Sequence, residues 1–273
     1  MLIKIFDVEH GQMIGLKENN NGPYTHLIDC GHNAKTGFNP RGLLNEDSKV
    51  NLMVTNFDQD HISNYSNIRD LVNLYTRSSG HTMDQLERIK RKSGSLSDDM
   101  KNLITDIRAN GKNEYRGING VTFRFFQNKI SEEIDDTNNL SMCIFIKHLE
   151  GVLCIPGDLE EKGWLNLLNN QGSESTAFRT WLKRTTYFVA SHHGRENGYC
   201  AEVFKYCQPK LVIISDKQVV HGTQEGMVNK YKQHCKGVKF NKSGWRYVLT
   251  TRRDGRIVLA SGLSDFLPTI NAG

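Results

Sequence analysis

Short, densely apolar runs punctuate this chain, and each closes on Asp, Asn or Gly before a polar stretch begins. Runs of that length, ending on residues that favour turns, predict strands that hand the chain to loops. Residues 2–8, 24–29 and 50–55 are expected strands on this pattern. The spacing changes after residue 65. Residues 66–75 place Ile68, Leu71, Val72 and Leu74 at roughly helical intervals behind Ser66, a residue type that caps helices. Residues 82–92 and 97–109 also read as helices, so a helical insert over about 66–110 is expected. Strands return at 120–127, 141–148 and 151–155, followed by helices at 159–168 and 175–184. Further strands at 187–190 and 211–215 precede a short helix at 228–233. Residues 247–251 and 256–259 flank Asp254-Gly255, a favoured turn dipeptide, and predict a closing hairpin. Two groups of strands with helices after each imply an α/β fold in which two sheets pack face to face with helices outside.

Composition adds bounds. The 273 residues suffice for one large domain spanning 1–273, and 37% hydrophobic residues with 9% aromatics can build its core. A net charge of +5 is compatible with an anionic partner, although a charge this small is also ordinary for a soluble surface. No stretch approaches the roughly 20 apolar residues that span a bilayer, so no membrane partner is expected. The first residues read as a strand rather than as a leader. Six cysteines (30, 143, 154, 200, 207 and 235) lie scattered without a CxxC pair, and the expectation is a reduced, cytoplasmic protein.

Four strand ends carry metal-capable side chains. Asn56-Phe57-Asp58-Gln59-Asp60-His61 follows the strand at 50–55, and Pro156-Gly157-Asp158 follows that at 151–155. Ser191-His192-His193-Gly194 follows 187–190, and His221-Gly222 lies shortly after Ser215-Asp216. Each alone is commonplace, since Gly-Asp marks many turns and an acidic loop is usually a cap. Their joint occurrence predicts a metal site, because carboxylates and imidazoles are the ligands that divalent ions accept. Asp158, with two oxygens, is placed to bridge two ions, and one histidine of His192/His193 can ligate while the other orients substrate or donates a proton. The basic run 88–92, with Lys90 and Arg91, reads either as a solvated helix face or as a phosphate-holding surface.

The order of these motifs resembles the metallo-β-lactamase superfamily, closest to ComEC-type hydrolase domains associated with DNA uptake. The matching segments are Asp7-Val8-Glu9-His10-Gly11-Gln12, Leu27-Ile28-Asp29-Cys30-Gly31, Asn56 to His61, Asn138-Asn139-Leu140-Ser141-Met142, Gly157-Asp158, His192-His193-Gly194 and Val220-His221-Gly222. The resemblance implies an αββα sandwich of two mixed sheets, with the site at one edge between them. It implies one or two divalent ions, zinc or manganese with magnesium as a further option, held by Asp58, Asp60, His61, Asp158, His192 and His193. Asp60, His193 and His221 are the implied catalytic residues, and Asn56, Asn139, Ser141, Lys90 and Arg91 are placed near substrate. The implied activity is phosphodiester hydrolysis, with DNA or RNA as the substrate. A small cyclic nucleotide is one alternative. Another is a weakly catalytic scaffold that binds nucleic acid or a protein partner in bacterial defence or repair. Asn56 stands where the family has a histidine, and Glu9-His10 and Gln12 alter the opening motif.

Overall fold

The computed structural model describes all residues except 33–36, 48, 111–112, 218–221, 241–243 and 272–273. Two sheets face each other. The first has seven strands: β1 (Leu2–Ile5), β2 (Ile14–Lys17), β3 (His26–Ile28), β4 (Val50–Val54), β5 (Val72–Arg77), and the late β14 (Arg256–Ser261) and β15 (Phe266–Asn271), ordered β15-β14-β1-β2-β3-β4-β5. The second has six: β6 (Val121–Phe126), β7 (Cys143–His148), β8 (Gly151–Ile155), β9 (Tyr187–Val189), β10 (Leu211–Ile214) and β13 (Val248–Thr250), ordered β13-β10-β9-β8-β7-β6. A small ribbon of β11 (Val238–Phe240) and β12 (Gly244–Arg246) stands apart.

Strand alternation explains the layers. Side chains point to opposite faces at successive positions, so Ile28 and Met53 of the first sheet meet Leu153, Ile155, Tyr187, Val189, Leu211 and Ile213 of the second. Their neighbours face outward. Leu27, Leu52 and Val54 pack under α2 (Tyr65–Ile68), α3 (Met83–Ser93) and α4 (Asp98–Asn110) through Ile68, Leu86, Leu103 and Ile104. On the far side Cys154, Phe188 and Val212 meet Trp164, Leu167, Phe178 and Leu182 of α5 (Glu161–Asn169) and α6 (Ser173–Arg184). The expected two-sheet sandwich with outer helices is the architecture found. Burial on both faces is also why these strands read as continuous apolar runs.

Two expectations fail locally. Residues 66–75 are not one helix: α2 and a 3₁₀ turn at Arg69–Leu71 lead into β5, which pairs parallel to β4. A short apolar run fits either period, and here the edge of the sheet decides. The expected closing hairpin is absent as well. β13 pairs with β10 in the second sheet and β14 with β1 in the first, so the chain changes sheets through the short helical turn Thr251–Asp254. Asp254 is buried, accepting Thr250 N and two bonds from Arg246, and this captures the dipeptide in a helical turn.

His26 gives this fold a pH dependence. It is buried in β3, with Nδ1 2.9 Å from Thr25 Oγ1 and Nε2 2.8 Å from Arg116 O. Burial pushes its pKa down to about 4, despite the bond to Arg116 O. The unfolded chain therefore binds more protons between pH 6.5 and about 4, so stability is complete above 6.5 and is lost as pH falls through that window. The total loss is about 3 kcal/mol. Melting curves of the parent and His26→Gln are expected to converge toward acid, and parallel pH slopes for the two would refute this role.

Candidate metal centre

Two parallel pairs of strands, one in each sheet, build the site at their C-terminal ends. β3 delivers Asp29, β4 delivers residues 55–61, β8 delivers Asp158, and β9 delivers His192 and His193. Ligands in open α/β sheets collect at such ends. Local chemistry bends each loop inward. Asn56 Oδ1 accepts Asp58 N at 2.8 Å, closing an Asx turn, after which α1 (Gln59–Ile62) presents Asp60 and His61. Gly157 has φ +62°, and a side chain there would press on Thr55 and Ser141. His192 and His193 adopt φ +50° and +54°, a rarely used region for residues with a Cβ and one that clusters at functional sites. Gly31 allows the closest approach: a Cβ there would lie 1.5 Å from Asp60 O.

Ligand atoms of Asp60, His61, Asp158 and His193 lie within 4.8 Å of one another. His61 Nε2 is 2.9 Å from Asp158 Oδ1, and His193 Nε2 is 3.2 Å from Asp60 Oδ2 and 3.8 Å from Asp158 Oδ1. Yet His61 Nε2, His193 Nε2 and Asp158 Oδ1 are buried without hydrogen-bond geometry to any partner. Unmade bonds at buried polar atoms are costly, and a shared cation removes that cost at all of them together. The other ring nitrogens are committed. His61 Nδ1 faces Asp29 Oδ2 at 2.8 Å, and His193 Nδ1 faces Ser215 O at 3.1 Å. Such bonds fix the tautomer that offers Nε2 to a metal. The donor set therefore fits a divalent ion.

Charges agree with this geometry. Although burial opposes the charge, Asp158 and Asp29 hold the His61 proton affinity well above the usual value, so a metal must displace a proton to bind. Asp60 remains ionised against the same desolvation because His193, His61 and His10 surround it. His10 shifts the other way. Burial, then the neighbouring His193, pushes its pKa down to about 4, leaving a neutral imidazole 3.4 Å from Asp60 Oδ2. Asp216, buried beyond His193, is raised to about 6, with Arg252 opposing the shift.

The remaining candidates lie elsewhere. Asp58 stands outside the four-ligand group: its Oδ1 accepts Lys90 Nζ at 2.5 Å and Thr137 Oγ1 at 2.9 Å. Lys90 is thereby tied to the loop, and Arg91 pairs with Glu87 on an exposed helix face. Asn56 Nδ2 donates to Asn138, and Asn139 accepts Gly163 N and bonds Asp136, so both support loops. Ser141 Oγ accepts Asp158 N at 3.1 Å and positions that residue. His192 borders the group, with Nε2 3.8 Å from Asp158 Oδ2 and Nδ1 3.5 Å from Glu160. His221 falls outside the described residues. Sequence reasoning did not place Asp29, Glu160 or Arg195 in the site. For Asp29 the signal was available, as a carboxylate ending an apolar strand just before Cys30-Gly31.

Neither a protein-family model nor a curated relative matches the chain. Among solved structures it is similar to CmlA, a diiron β-hydroxylase from Streptomyces venezuelae. The identity is 11% over 95% of this chain and 54% of that one, with a TM-score of 0.53. A point variant of that hydroxylase gives 0.54. The chain spans about half the hydroxylase's length. It is also similar to the metallo-β-lactamase fold protein YhfI from Bacillus subtilis, at 11% identity over 91% of this chain and 95% of that one, with a TM-score of 0.45. The architecture is a sandwich of two mixed sheets with helices outside, and at these identities the likeness to the hydroxylase is one of fold.

Proposed function

We propose that the chain is a metal-dependent hydrolase that cleaves phosphodiesters, with DNA or RNA as its substrate. The observation that carries this reading is the convergence of the buried His61 Nε2, His193 Nε2 and Asp158 Oδ1 beside Asp60. A divalent ion bound there supplies Lewis acidity to a phosphoryl oxygen and lowers the pKa of water. Asp60, partly open to solvent, would orient an attacking water. Four ligands serve one ion, and Lys90 holds Asp58 apart from them. The expected content is therefore near one equivalent of zinc or manganese per chain. Phosphodiesters are favoured by the net charge of +5 and the resemblance to ComEC-type domains.

A second reading has its own observation. The engaged Asp58 and Asn56 leave fewer groups for catalysis, as expected of a scaffold in which one structural ion supports a surface for nucleic acid or a protein partner. The same donors accept iron, so iron is measured alongside zinc and manganese. The test combines metal analysis with single- and double-stranded DNA, RNA and a cyclic nucleotide, comparing the parent with His61→Ala. Cutting that disappears in the variant supports the hydrolase. A metal-loaded parent that leaves every substrate intact supports the scaffold.

A further inference from the structure

We infer that Arg195, flanked by His10 and His192, forms an oxyanion subsite that grips the two non-bridging oxygens of the scissile phosphodiester. This rests on the hydrolase reading and adds the group that recognises its substrate. The left-handed turn at His192, His193 and Gly194 reverses the chain, and Arg195 N donates to His192 O at 3.0 Å. The turn brings the guanidinium over the metal group. Nη1 lies 3.3 Å from His192 Nε2, and Nη2 lies 3.4 Å from His10 Nε2. Those imidazoles in turn approach the ligand carboxylates: His10 Nε2 is 3.4 Å from Asp60 Oδ2 and His192 Nε2 is 3.8 Å from Asp158 Oδ2. Arg195 therefore spans the mouth of the site, one imidazole away from the ligands on either side.

Its setting differs from that of the ion-paired arginines. Arg41, Arg69, Arg91, Arg108, Arg124 and Arg246 each meet a carboxylate within 3.3 Å. Among the described residues no carboxylate lies within ion-pair distance of Arg195, although it is half-buried. A guanidinium offers five donors in a planar fork, and the two imidazole contacts are long for hydrogen bonds. Glu160 does not neutralise it. That carboxylate accepts Asn138 Nδ2 at 3.0 Å and Asn197 Nδ2 at 2.7 Å and faces the other nitrogen of His192. What matches a half-buried fork with unused donors is a pair of geminal oxygens on one anionic centre, bound bidentately. His10 and His192 hold the fork in place through their acceptor nitrogens.

The test uses metal-loaded protein and inorganic phosphate as the probe, followed by titration calorimetry, with parent, Arg195→Gln and Arg195→Lys. Metal content and melting temperature are expected to match the parent in both variants. Phosphate affinity is expected to fall roughly 10- to 100-fold in Arg195→Gln, with partial recovery in Arg195→Lys, whose single ammonium cannot form the fork. With a phosphodiester substrate the loss should include a raised KM. Arg195→Gln binding phosphate as the parent does overturns the subsite. Cleavage with unchanged KM and kcat in Arg195→Gln also overturns it, while leaving the hydrolase reading standing. Arg195-dependent phosphate binding in a parent that cuts no phosphodiester upholds the subsite and removes the hydrolase reading.

Discussion

Asp158→Asn is expected to abolish metal retention while leaving the fold in place. Asp158 is buried at the end of β8, and its Oδ1 faces both ligand imidazoles, 2.9 Å from His61 Nε2 and 3.8 Å from His193 Nε2. Despite full desolvation, His61 and His193 keep its carboxyl below the usual pKa, so it is a permanent negative charge at the centre of the group. Asparagine has the same shape and retains the backbone bond from Asp158 N to Ser141 Oγ. It removes the charge and one strong ligand. Residues that only support a ligand alter metal affinity by about 10- to 100-fold, so losing a central ligand should exceed the upper figure. The readout is dialysis against a buffered metal followed by metal analysis. Melting curves provide a second one: an ion at 100 times its dissociation constant stabilises the parent by about 2.7 kcal/mol, and the variant should gain almost nothing. An Asp158→Asn protein holding one equivalent at parental affinity would show that the ion sits elsewhere.

The sandwich was legible because its strands are short, apolar and closed by turn residues, and burial on both faces left no polar interruption in β8, β9 or β10 and only Asn51 in β4. β5 was not legible. Its Val72, Leu74 and Tyr75 satisfy a helical period almost as well as a strand, and only its pairing with β4 decides. The Asp254-Gly255 turn misled because the partner that captures Asp254, Arg246, is eight residues away and irrelevant to a local hairpin rule. Residue type and order placed Asp60, His61, Asp158 and His193 in one site. They could not show that Asp58 faces a lysine, because the Lys90 contact depends on how α3 packs over the loop. Arg195 was invisible for a related reason: its environment is two imidazoles, one of them 185 residues distant.

Asp29→Asn should produce the largest stability loss of any single isosteric change near the site, together with weakened metal binding. Asp29 is wholly buried and accepts from four donors. Its Oδ2 takes Gln12 Nε2 at 2.7 Å, Thr55 Oγ1 at 2.5 Å and His61 Nδ1 at 2.8 Å, and Oδ1 takes Thr55 N at 2.7 Å. Every neighbour donates, so an amide nitrogen at either position faces a donor and leaves it unpaired. Asparagine tolerates the φ of +58° at this position at least as well as aspartate, so backbone strain does not confuse the result. Breaking a buried charged pair from one side costs about 3 to 5 kcal/mol. At about 2 to 4 °C per kcal/mol for a chain approaching this size, the melting temperature of metal-free protein should fall by roughly 10 °C. Metal affinity should fall about 10- to 100-fold, because His61 loses the bond that fixes its tautomer and aims Nε2. Thr55→Val provides the scale. It removes one donor and leaves the carboxylate three others, so its loss should be about 1 kcal/mol and its metal affinity close to parental. If Asp29→Asn melted with the parent and bound metal as tightly, His61 would be held by its packing, and the Asp29–His61 bond would be a consequence of the fold with no part in aiming the ligand.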